Sequence, residues 1–135
     1  MLTKDQARKL LKQVNLPKGW KIIIKELTYL DAIAYTCYDN KTICIFPSSL
    51  YYMTPSVFLN TIWHEIGHAI TELSPKRRNS HTKVWYRNAV KSGYNLQMEY
   101  EGWKKYPGYG NWTFRRWCKL MSGKMYQFYI PKKFR

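Results

Sequence analysis

His64-Glu65-Ile66-Gly67-His68 sets two imidazoles four residues apart with a carboxylate between them. On a helix, residues i and i+4 leave the same face one turn apart. Both rings can then offer a neutral nitrogen to adjacent corners of a tetrahedral Zn²⁺. Glu65 is turned about 100° from His64 around such a helix. That places it beside the ion rather than on it, within reach of a water whose proton it can take. The chemistry this pattern fits is metal-assisted hydrolysis with Glu65 as general base. A zinc site needs a third protein ligand. The chain holds three histidines, and the third, His81, follows His68 by thirteen residues. Glu72 is the rival ligand, four residues past His68. One further turn along the same axis is an awkward reach for the same ion, so Glu72 reads better as a group behind the ligands or as plain surface. The bland alternative is a surface helix with two incidental histidines. Against it, the motif lies among Leu59, Trp63, Ile66, Ile70 and Leu73, an apolar stripe. Two histidines and a glutamate in such a helix are costly to bury without partners.

These residues need elements to hold them. Thr54-Pro55 opens the motif helix, with Thr54 as cap and Pro55 in the first turn, and Ser74-Pro75 stops it after about residue 73. Gly67 has no side chain, which suits close approach by another element. A second helix is expected from about Ser80 to Gly93, carrying His81 at its start and a glycine at its end. Upstream, residues 3–14 read as a helix with Thr3 and Gln6 in a capping box. Strands follow at residues 20–27, 32–38 and 42–46, the last two joined by Asp39-Asn40-Lys41 turn chemistry. With Asn40-Lys41 as a two-residue loop, Cys37 would lie opposite Cys44. Residues 47–53 read as a loop. Residues 112–120 and 124–130 read as a hairpin around Ser122-Gly123, with a helical reading of the Arg115-Arg116-Trp117-Cys118 stretch left open. The fold class is α+β: an N-terminal helix, a three-stranded antiparallel sheet, the HExxH helix, a third-ligand helix and a C-terminal β-hairpin, in a single domain over residues 1–135.

On these residues the chain resembles the SprT-like (Spartan-type) zinc metallopeptidases. The carriers are His64-Glu65-Ile66-Gly67-His68-Ala69 and then His81-Thr82-Lys83-Val84-Trp85, similar to a pattern of HExxHA followed by HGxxF. Thr82 stands where that pattern has glycine, and Trp85 where it has phenylalanine. The lead-in over residues 42–55 is also similar, and the likeness spans about residues 33–93. The WLM peptidases share much of the pattern. The resemblance implies a zincin-like metallopeptidase domain with Zn²⁺ on His64, His68 and His81, Glu65 as catalytic base, and a protein substrate on or near DNA. Many members end in a four-cysteine zinc ribbon. Here residues 102–135 keep only Cys118, and a basic, aromatic-rich extension stands in the ribbon's place, with Trp112, Phe114, Trp117, Tyr126, Phe128 and Tyr129 to form its core.

Charge is the strongest bulk feature. Lys and Arg number 23 against 8 acidic residues, a net charge of +15. It is uneven: Glu101 is the last acid, and nine basic residues follow it. Arg115, Arg116, Lys119, Lys124, Lys132 and Lys133 are therefore candidate contacts for DNA or another polyanion, with a solvated basic surface as the plain alternative. An aromatic content of 17% argues against disorder. Three cysteines without a CxxC pattern disfavour both a four-thiolate zinc ribbon and a disulfide framework, so reduced thiols are expected. No apolar run is long enough to span a bilayer, and residues 1–6 turn polar at once, unlike a signal peptide. The expected location is a cytoplasm, including that of a host if the chain is virus- or phage-encoded, or a virion assembled there. A different class of function also fits: a basic binding or structural module whose zinc staples the fold and cuts nothing.

Overall fold

The computed structural model of the chain describes residues 2–25, 34–71 and 81–104, without the Trp103 side chain. It is a small mixed α+β structure with one three-stranded sheet and several helices. Helix α1 spans Lys4–Leu11. Gln6 N–H donates to Thr3 Oγ1 at 3.1 Å, and Thr3 N–H donates to Gln6 Oε1 at 2.9 Å, which closes the expected capping box. Strands β1 (Lys21–Ile24), β2 (Ala34–Cys37) and β3 (Thr42–Ile45) follow, then the short helix α2 (Pro47–Leu50). Helix α3 runs Pro55–Ile70, α4 runs Lys83–Ser92 and α5 runs Leu96–Trp103.

The sheet corrects the antiparallel expectation. Its order is β1-β3-β2, with β2 antiparallel to β3 and β1 parallel to it. Burial decides which strand is central. All four residues of β3 are buried, whereas β1 alternates between exposed and half-buried residues and starts on Lys21. A parallel pair needs a crossover between its strands, and the stretch containing β2 supplies it. The hairpin register also differs. The turn takes four residues, Tyr38 to Lys41, with Lys41 at φ 48°. Cys37 therefore faces Thr42, and Cys44 faces Tyr35. Neither of these thiols is in a disulfide; Cys44 is buried, and its Sγ donates to Lys25 O at 3.3 Å.

The core forms where Ile43 and Ile45 of β3 meet Ala7 of α1, Leu50 of α2 and Val57, Phe58, Ile62 and Ile66 of α3. In place of a loop over residues 47–53, Pro47 starts α2, and Ser49 Oγ donates to Phe46 O at 2.6 Å. Helix α3 ends at Ile70 rather than near Leu73, because Thr71 turns extended and its hydroxyl donates to Gly67 O at 2.6 Å. Helix α4 begins at Lys83 with Thr82 as its cap and ends on Gly93, whose φ of 121° suits glycine. The expected hairpin at residues 112–130, the ribbon replacement, Cys118, Glu72 and all six basic candidates from Arg115 to Lys133 lie outside the described residues.

Helices α3 and α4 pack at Gly67. A Cβ on that residue would sit 2.7 Å from Ala89 Cβ and 2.9 Å from Trp85 Nε1. Neither neighbour is the free end of a flexible chain. Gly67→Ala should therefore destabilise the protein by about 1–3 kcal/mol through overpacking, despite a helix-propensity gain of about 1 kcal/mol. Urea unfolding checks this, and a higher midpoint would show that α4 can retreat without loss.

Candidate metal centre

The motif helix α3 carries His64 and His68 on one face, as their spacing requires. Both are buried, at 7% and 4% exposure. His81 lies just ahead of Thr82, whose hydroxyl accepts from Trp85 N–H at 3.2 Å. That cap fixes the direction in which the chain enters α4. Packing α4 across α3 then brings His81 over the other two rings. Its Nε2 is 3.1 Å from His64 Nε2. The three ring centroids stand 5.2, 5.0 and 5.0 Å apart, a nearly equilateral triangle.

Three imidazoles whose donor nitrogens lie within 4.8 Å of one another can hold a metal ion. Imidazole nitrogens are ligands that divalent transition metals, zinc among them, accept. Ligand nitrogens about 2.0–2.1 Å from a tetrahedral ion stand roughly 3.3 Å from each other, close to the 3.1 Å between His64 and His81. Glu65 is not among the donors, in keeping with its rotation away from the histidine face.

The surroundings hold each group. Trp85 is fully buried and donates its indole N–H to His64 O at 3.1 Å. Its ring stacks on His68 with centroids 5.3 Å apart. Tyr38, at the end of β2, donates to His68 O at 3.0 Å. From β2, Thr36 donates to Glu65 Oε2 at 2.5 Å and lies 3.3 Å from Glu65 O. Helix α5 adds a carboxylate: Glu99 Oε1 comes within 2.6 Å of His64 Nδ1, off the ring N–H axis. The Tyr94 hydroxyl donates to Glu99 Oε2. Two hydrogen bonds between Asn60 and Asn95, at 3.0 and 2.7 Å, tie the start of α5 to α3.

Thr36, Tyr94 and Glu99 were not read from the sequence. A signal for Glu99 existed, because Asn95 caps a helix whose inward positions are Leu96, Glu99 and Gly102. A glutamate on a buried helix face needs a partner. Thr36 gave no local signal, since its pairing with Glu65 spans 29 residues.

Burial separates the titrations. It pushes His68 far below the usual imidazole range, helped by His64 and His81. It takes His81 down to about 3, with His64 adding to the effect. Burial also disfavours charge on His64, but Glu99 and then Glu65 outweigh it and hold this imidazole above its ordinary range. Burial raises the Glu65 carboxyl, against the opposing pull of His64 and Thr36.

Two of the three rings are thus neutral in neutral solution, and an incoming ion has to displace a proton mainly from His64. Affinity should fall as pH drops through the raised His64 value, with about one proton released per ion, and level off above it. Zn²⁺ titration against a chromophoric chelator across pH measures this, and release of about three protons would contradict the assignment. Replacing any one of the histidines by alanine should weaken uptake by more than the 10–100-fold typical of losing a group behind a ligand.

No protein-family model, curated protein or solved structure matches this chain.

Proposed function

We propose that the chain is a zinc-dependent metalloendopeptidase with a zincin-like, SprT-like domain, and that DNA-associated proteins are its substrates. One observation carries the reading: Glu65, a buried carboxylate that is not a donor, shares α3 with His64 and His68, two of the three histidines of the donor set. Catalytic zinc sites keep three protein ligands and leave a position open. A structural site would close it with a fourth, and none joins the set among the described residues.

His64, His68 and His81 would hold the ion. When bound, zinc supplies Lewis acidity, which makes water a better nucleophile and stabilises charge on a carbonyl oxygen. Glu65 takes the proton from the attacking water and returns it to the amine that leaves when the peptide C–N bond breaks. A base that must also act as an acid works best with a pKa near the operating pH. Burial moves Glu65 in that direction. Thr36 holds one carboxylate oxygen, so the other is the one to face water. The net charge of +15 fits a substrate presented on DNA.

Burial of both α3 histidines supports a second reading, in which the metal staples a basic binding module. Glu65→Gln separates the two. The peptidase reading expects full metal content and casein or histone cleavage reduced about 10²–10⁴-fold. The staple reading expects no cleavage by the wild-type chain under any condition, with or without DNA. Duplex DNA binding by the full chain should weaken steeply with salt, and binding indifferent to salt would remove DNA from the proposal.

A further inference from the structure

Glu99 is among the most deeply buried side chains of the described residues, at 2% exposure, and the hydrolytic scheme above gives it no task. Isolated, a carboxylate in such a place is strongly disfavoured. Its two oxygens instead face two groups. Oε1 lies 2.6 Å from His64 Nδ1, and Oε2 accepts from the Tyr94 hydroxyl. The nitrogen it meets is the one on the far side of the ring from the cluster. His64 Nε2 is the atom that faces His81, at 3.1 Å.

A neutral imidazole carries its proton on one nitrogen only. A carboxylate oxygen 2.6 Å from Nδ1, even off the ring N–H axis, favours the tautomer with the proton there over a bare lone pair facing it, and leaves the Nε2 lone pair directed at His81. Charge adds to this. Three neutral rings bring nothing to offset a divalent cation, whereas Glu99 sets a negative charge one ring away from the ion's place. Tyr94 restrains Glu99 in turn, and its own ring packs edge-on against His64 with centroids 5.5 Å apart.

We infer that Glu99 is a positioning residue for the metal: it holds His64 with Nε2 presented to the cluster, and Tyr94 holds Glu99. The inference rests on the metal reading of the three histidines but not on peptidase activity.

The test uses the full-length chain, first metal-free and then titrated with Zn²⁺. Nitrogen-15 shifts of the histidine rings, followed upward in pH until the His64 signals stop moving, report the tautomer of the neutral ring. The expected wild-type result is His64 protonated on Nδ1. Glu99→Met keeps the volume and removes the acceptor. It should release His64 to a mixture of tautomers and lower zinc affinity about 10–100-fold. Glu99→Gln keeps an acceptor without the charge, so it should retain the tautomer and lose part of the affinity. Tyr94→Phe leaves both ends of the pair in place and should cost a few-fold. Circular dichroism confirms that each variant is folded. A wild-type His64 protonated on Nε2 would overturn the inference. So would a folded Glu99→Met chain with unchanged tautomer and unchanged affinity. A wild-type chain that takes up no zinc would overturn the metal reading and the inference with it, whatever the tautomer.

Discussion

Helices α3 and α4 meet at residues with almost no side chain, and the rest of the site follows from that approach. Gly67 and Ala89 let the backbones come close enough for the Trp85 indole to reach a carbonyl of the motif helix. Trp85 fills the seam and is wholly buried. Because His81 is fixed to the head of α4 through the Thr82 cap, the depth of this contact sets where the third ring lies. A larger residue at either position would move one ligand relative to the other two. The triangle of histidines is thus a consequence of helix packing, with the individual rings following the backbones that carry them.

Around that seam the protein buries several polar groups and answers them one by one. Glu65 meets a threonine from the sheet, and Glu99 meets a histidine and a tyrosine. The carbonyl of His68 accepts from Tyr38, the first residue of the turn after β2. Asn60 and Asn95 exchange two hydrogen bonds. In a weakly screening interior each of these is stronger than it would be in water, and each would be expensive to leave half made. The two carboxylates do different jobs in this arrangement. One stands beside the donor set and the other behind it.

What could be read in advance was whatever the chain writes locally. The i, i+4 histidines, the Thr54-Pro55 start of α3, the Gly93 end of α4 and the Thr3–Gln6 box are short-range patterns, and each is found in its place. The value of Gly67 as a point of close approach was legible for the same reason. The sheet was not, because a parallel partner for β1 is chosen by which strand can be buried on both sides. Helix α5 escaped notice since its inward residues are a leucine, a glutamate and a glycine, which carry no apolar rhythm. Glu99 was lost with the helix that bears it. Thr36 sits in a four-residue strand, where a threonine is ordinary, and only the tertiary fold brings it against Glu65.

The hydroxyl of Thr36 has a further property that its geometry makes useful. It holds one hydrogen and two lone pairs, so it is a partner to Glu65 in either protonation state. Toward the carboxylate it is a donor; toward the carboxylic acid a rotation of its own O–H turns it into an acceptor. The same contact can therefore follow the proton as it comes and goes, with no movement of the backbone. Lysine, which only donates, would favour the carboxylate over the acid, and valine would serve neither. An amphoteric neighbour leaves the group free to cycle.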